Sequence, residues 1–291
     1  MKVYNPKDWL FFLLRPQNSK LFEKMNKVLL AVCVITFLIV YIEQDWLDLG
    51  KDHPLKNFVA LQPLLGFAIS ILLVFRTNTA YDRWWEGRKL WGTLVNNSRN
   101  LAIKIKAIFP EKNEYSDYFK KIIPLYAKAL NQHLLAESTR LMLDEIDHPE
   151  LKIDKNSHIP NQIAKAMIQK AFYLRKNNLM TADELRMINN ELSSFVEVCG
   201  ACERIKNTPI PYSYSAFIKK VVFFYVISLP IGMSFTLGYY SVPVVALAFY
   251  VMVGMELVAE EIEDPFGGDD NDIPMAKISA NIEKQVREIL D

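Results

Sequence analysis

A few sets of residues in this 291-residue chain are of types and spacings that support chemistry. Cys199 and Cys202, in "CGAC", have the spacing of a redox dithiol or of half a metal site. They fall in the C-terminal half of a helical stretch with no preceding strand, whereas a reactive thiolate is stabilised at a helix N-terminus. Plain helix packing is their expected role. His53, His133, His148 and His158 are scattered, and no pair has metal-ligand spacing on one helix. Asp264, Asp269, Asp270 and Asp272 crowd a Gly-containing loop, "EDPFGGDDNDIP" from Glu263. Oxygen-rich loops suit Ca²⁺, which takes about six to eight oxygen ligands. The EF-hand pattern is absent, so a solvated acidic turn is the alternative. Phe67, Ile71 and Phe75 sit at i, i+4 and i+8 and share one helix face that ends at Arg76. Such a stripe faces lipid or a neighbouring helix, or else it forms a constriction that gates ions by drying out. There is no Gly-rich phosphate loop, no nucleophile elbow and no convergent acid–base set, so no enzyme is expected.

The balance of 34 Lys/Arg against 33 Asp/Glu, a net charge of +1, lacks the basic footprint of a nucleic-acid binder. Hydrophobic residues make up 51% of the chain and charged residues 23%, and the two are segregated into separate windows. Three cysteines do not make a disulfide framework, and Cys33, inside an apolar run, is a small hydrophobe. That run begins only near Val28 and no small-residue cleavage site follows it. A retained membrane helix is expected rather than a secretory signal.

The elements that must position these residues follow in order. Residues 1–27 carry six Lys/Arg against two acids. Their "DWLFFLLR" predicts a short helix, lying in the membrane interface or packed on the protein. Val28–Ile42 and Asn57–Phe75 are uncharged and close to the roughly 20 residues a bilayer span needs. They flank a polar, acidic segment from Glu43 to Lys56. The stretch "LQPLLGFAISILLVFRTNTAYDRWWEGRKLW", Leu61 to Trp91, predicts one helix that leaves an apolar phase and enters a polar one while still turning. The positive-inside rule puts the N-terminus and the chain after Arg76 in the cytoplasm. Residues 77–215 read as a helical, water-soluble block. There "FPEKNEYS" and "DEIDHPELKIDKNSHIP" are loops, and Thr181 with Glu184 forms a capping box for a helix to about Arg204. Val221–Met255 carries no charge. A turn at "YYSVP", Tyr239–Pro243, makes it a hairpin whose first arm is kinked at Pro230 and Gly232. Ile278, Ile282, Val286 and Ile289 mark a last amphipathic helix. The fold class is thus an all-α membrane protein with four transmembrane helices in two hairpins plus a helical cytoplasmic domain, both termini inside. Its segments are 1–27, 28–76, 77–215, 216–260 and 261–291. Four helices enclose little space, so an axial pore would need several subunits.

"FRTNTAYDRWWEGRKLWG" from Phe75, "CERIKNTPIPYSY" from Cys202 and "EDPFGGDDNDIP" from Glu263 resemble the hallmark segments of the bestrophins, in their bacterial branch. The resemblance covers nearly the whole chain. It implies a homopentameric ion channel of the bacterial inner membrane, lipid-embedded, with one axial pore lined by the second membrane helix and no required cofactor. It puts the hydrophobic neck at Phe67, Ile71 and Phe75 and a cytoplasmic aperture at Asp183, with Glu184 the alternative one residue on. Asp269 and Asp272 match ligands of the family's calcium clasp, with Glu261 and Asp264 beside them, which implies Ca²⁺ at the acidic loop. The permeant species are small monovalent ions: chloride and other anions by family, with monovalent cations in bacterial members. Arg76 beneath the neck would favour anions and Asp183 cations. The competing class is a membrane-anchored helical scaffold without a pore.

Overall fold

The structure, a computed structural model, describes residues 20–50, 53–135, 154, 157–269 and 271–291. The segment "DWLFFLLR" and Asp270 lie outside them. No strand occurs among the described residues. The α-helices among the described residues are α1 (Lys20–Tyr41), α2 (Gln62–Ile108), α3 (Glu114–Leu135), α4 (Ile159–Lys176), α5 (Ala182–Asn207), α6 (Tyr212–Ser228), α7 (Pro230–Leu237), α8 (Ser241–Glu263) and α9 (Met275–Leu290). They fall into two compact units. One joins the described residues up to Asp82 with Pro209–Glu263, and the other joins Arg83–Thr208 with Asp264–Asp291.

Helix α2 is one uninterrupted helix of 47 residues; it contains the single helix expected over Leu61–Trp91 and continues without a break to Ile108. At 1.5 Å per residue it is about 70 Å long, roughly twice a hydrocarbon core, so it must emerge from any bilayer it enters. Ser70, Thr77 and Thr79 return their O–H groups to the carbonyls of Gly66, Leu73 and Phe75, one turn back, at 2.8–2.9 Å.

Among the described residues, three helical stretches are long and apolar enough to cross a membrane: Met25–Trp46, Pro54–Ile108 and Tyr212–Glu263. The first unit holds its core between them, with Met25, Val32, Ile69, Leu73, Val222, Val226, Val245 and Phe249 packed together. Only 17–22% of the most apolar windows is buried within the chain, so most of that surface must be covered by lipid or by other subunits. The third stretch is interrupted where the sequence suggests. Ile231 and Gly232 leave helical geometry, and Gly232 adopts φ +120° with Leu55 O and Val59 against it. That conformation belongs to glycine. The reversal itself sits at Gly238–Tyr240, slightly before the expected Tyr239–Pro243, because Pro243 is tolerated in the first turn of α8. Glu43 is buried rather than in an open polar segment, accepting a hydrogen bond from Ser234 Oγ.

The second unit is a helical bundle with its own buried core. Asn113 Oδ1 accepts from Tyr115 and Ser116 N–H to open α3. The capping box at Thr181 and Glu184 opens α5 with both of its bonds made. Ile282 and Val286 of α9 are buried, and Ser279 Oγ bonds Ala127 O on α3 at 3.1 Å. The loop expected through Pro160 ends two residues earlier. His158 caps α4 through Nδ1, and Pro160 sits harmlessly in its first turn.

Candidate functional site

The face of α2 that carries Phe67, Ile71 and Phe75, the expected neck residues, is set by what its opposite face packs against. Ile69, Leu73, Arg76 and Ala80 are buried. Positions 67, 71 and 75 lie about half a turn away, and Phe67, Ile71 and Phe75 are 66%, 40% and 60% exposed in the single chain. Gly66 lets this helix pack closely on α6. A side chain there would meet Tyr225 Oη at 2.5 Å, and that hydroxyl donates to Gln62 O. Gln62 Nε2 in turn donates to Leu229 O at 3.1 Å. The apolar stripe is therefore held facing away from the chain's own core.

Arg76 does not behave as expected. It is 1% exposed, with Nη2 2.7 Å from Glu263 Oε2 and Nε 3.5 Å from Glu256 Oε1. It faces the core between two carboxylates because its position on α2 continues the Ile69–Leu73 face. It therefore presents no outward cation that would favour anions beneath the neck.

The three hallmark segments meet in the second unit. Arg83 donates to Thr208 O at 2.5 Å and to Ile205 O at 2.6 Å, closing the C-terminal end of α5. Arg204 pairs with Glu86 at 2.5 Å. Trp84 Nε1 donates to Asn271 O at 3.0 Å, and Gly87 leaves room for Phe266 and Ile273. "RWWEG" is thus the platform on which the "CER" helix end and the acidic loop are both mounted.

In that loop Asp272 is buried. Its Oδ2 accepts the Asp269 N–H, and its Oδ1 is buried without a partner. A side chain at Gly267 would meet Asp272 Oδ2 at 3.2 Å and Asp264 Oδ2 at 3.4 Å, so glycine leaves both carboxylates room beside one spot. Burial pushes the Asp272 carboxyl above its ordinary value, the Asp269 N–H opposes this, and the charges of Asp269 and Asp264 add to it. Hard oxygen donors and one orphaned oxygen fit Ca²⁺. Asp269 meets Asp272 through its backbone, and the three carboxylates are not gathered into a single ligand cluster among the described residues.

Asp183 and Glu184 separate clearly. Glu184 accepts the Thr181 N–H at 2.6 Å, which holds its carboxyl below the ordinary value. The Asp183 side chain is 91% exposed, with only Arg186 near it at 3.4 Å. Cys199 and Cys202 are buried, and burial pushes the Cys199 thiol up to about 12 and Cys202 up as well. Such thiols are poor redox nucleophiles. One cluster among the described residues was missed in the sequence: His133 and His158 converge on Glu203, beside Cys199. The local signal was Cys199 and Glu203 at i, i+4.

These observations define a helical membrane protein with an exposed apolar stripe on its longest helix and a second helical unit. The model of the bacterial/fungal bestrophin family matches residues 2–288. The voltage-dependent anion channel-forming protein of Synechocystis sp. is 31% identical over 302 residues, 98% of this chain and 93% of its own. The protein of the same description from Nostoc sp. is 33% identical over 78% of each chain. A crystal structure of a variant bacterial bestrophin homologue from Klebsiella pneumoniae superposes with TM-score 0.77 at 26% identity, covering 91% of this chain and 99% of that one. The chain belongs to the bestrophin family, in its bacterial and fungal branch. It is a membrane protein, of a family of ion channels rather than enzymes.

Proposed function

We propose that five copies of this chain surround an axial pore in the bacterial inner membrane and conduct small monovalent ions, anions first. Phe67, Ile71 and Phe75 form the neck. The observation that carries this reading is their exposure on the face of α2 opposite its buried side, at one-turn intervals. Rings of bulky apolar side chains with no charge form a barrier that opens by wetting. Kinship with the anion channel-forming proteins of Synechocystis and Nostoc supports anions as the permeant species. Four spans complete the topology, the third membrane-capable stretch supplying two arms that reverse at Gly238–Tyr240, with both termini cytoplasmic. Asp183 lines the cytoplasmic aperture, and Asp264, Asp269 and Asp272 hold Ca²⁺.

Asp183 also supports a second reading, cation selection. An exposed carboxylate repeated in every subunit attracts cations and repels anions. The reversal potential of purified protein in planar bilayers under a salt gradient tests both. Reversal near the chloride equilibrium potential supports anion conduction, and reversal near that of the cation supports the second reading. Membranes that stay silent at every voltage leave the pore-free scaffold instead.

A further inference from the structure

We propose that His133, His158, Cys199 and Glu203 form a zinc site that clips three helices of the second unit together. His133 lies in the last turn of α3, His158 is the cap of α4, and Cys199 and Glu203 stand one turn apart on α5. His133 Nε2 and His158 Nε2 each lie 2.6 Å from the same atom, Glu203 Oε1, with ring centroids 4.6 Å apart. One ligand atom from each of the four residues lies within 4.8 Å of the others. Two imidazoles, a thiol and a carboxylate are a tetrahedral zinc donor set, and the nitrogen and sulfur atoms disfavour Ca²⁺ and Mg²⁺. This chemistry differs from the all-oxygen loop at Asp264–Asp272.

Zinc bonds of about 2.0–2.3 Å require the ligand atoms to draw in by on the order of 1 Å. The His158 and Glu203 side chains are 32% and 28% exposed, which leaves them room to turn. Metal at His133 Nε2 puts that ring's proton on Nδ1, which is buried without a partner, a cost that the metal bonds must exceed. His158 Nδ1 accepts the Asn161 N–H at 3.1 Å. Zinc at its Nε2 moves that ring's proton to Nδ1 and gives up this cap bond. The Cys199 thiol loses its proton to solvent on binding.

The test uses tag-free, full-length protein in detergent, stripped by chelator, dialysed with Zn²⁺ and then against metal-free buffer. The parent should retain one Zn²⁺ per chain and melt higher with Zn²⁺ present. His158→Asn keeps an N-cap acceptor but removes a ligand, and should lower zinc affinity more than about tenfold. Cys199→Ser leaves the cap alone and should abolish the thiolate-to-metal absorption of the Co²⁺ adduct. Equal zinc retention by parent and His158→Asn overturns the site, as does a parent Co²⁺ adduct with no thiolate band.

Discussion

Arg76 Nη2 lies 2.7 Å from Glu263 Oε2, although 187 residues separate the two in sequence. The contact joins the point where α2 turns polar to the last turn of α8. Glu263 completes it by accepting the Ile210 N–H through Oε1 at 2.7 Å. One carboxylate therefore holds both a buried guanidinium and the chain leading into α6. Arg76→Leu would remove the guanidinium from between Glu256 and Glu263, and losing one partner of a buried pair costs about 3–5 kcal/mol. Glu263→Gln should cost less, since an amide oxygen still accepts the Ile210 N–H. Thermal unfolding in detergent should rank parent, Glu263→Gln and Arg76→Leu in falling order. A midpoint for Arg76→Leu equal to the parent's would remove the structural role.

Ile71→Ala tests the apolar stripe. If positions 67, 71 and 75 ring a pore, a smaller side chain in the middle layer widens and wets it. Single-channel conductance or open probability should rise severalfold. Unchanged currents would mean that the stripe faces lipid.

Asp183→Asn removes a charge without changing shape. Its carboxylate is exposed and only loosely paired with Arg186, so folding should be unaffected, with a thermal midpoint close to the parent's. The reversal potential in a salt gradient should move toward that of the anion. No movement would place Asp183 away from the permeation path.

The acidic loop should respond to Ca²⁺ by thermal stabilisation, worth about 2.7 kcal/mol at roughly a hundred times Kd for a single site. Asp269→Ala with Asp272→Ala should lose that increment. Equal stabilisation of mutant and parent would remove Ca²⁺ from the loop.

The α3–α9 contact supplies a pH dependence. Lys128 lies 2.7 Å from Glu283 Oε2 and, with Arg287, holds that carboxyl below its ordinary value against the effect of burial. A depressed carboxyl contributes stability above its unfolded pKa and loses it as pH falls through the lower folded value. The pair is partly exposed, so the contribution is about 0.5 kcal/mol. Glu283→Gln should flatten the acid limb of the unfolding midpoint below about pH 4.5, and an unchanged acid limb would assign that limb to other carboxylates.

Much of the fold was legible because it follows local rules. The continuity of α2 through Trp91 follows from the absence of helix breakers after Pro63. The start of α5 follows from Thr181 and Glu184, three residues apart, and the interruption of the third stretch from Pro230 and Gly232. The stripe at Phe67, Ile71 and Phe75 was legible for the same reason, since i, i+4 neighbours share a face whatever else the chain does. The buried Arg76 was not legible. Sequence marks it only as a cation after an apolar run, and its orientation depends on a carboxylate that arrives from a distant helix.

The sequence by itself determined helix positions, the segregation of apolar from charged stretches and the family, because propensity, periodicity and motif order act within a few turns of chain. Only the tertiary structure decided which partners those side chains meet. It put Arg76 between Glu256 and Glu263, mounted Trp84 against the acidic loop, and brought His133 and His158 to one oxygen of Glu203 beside Cys199. Those meetings depend on how helices far apart in sequence pack, which no local spacing encodes.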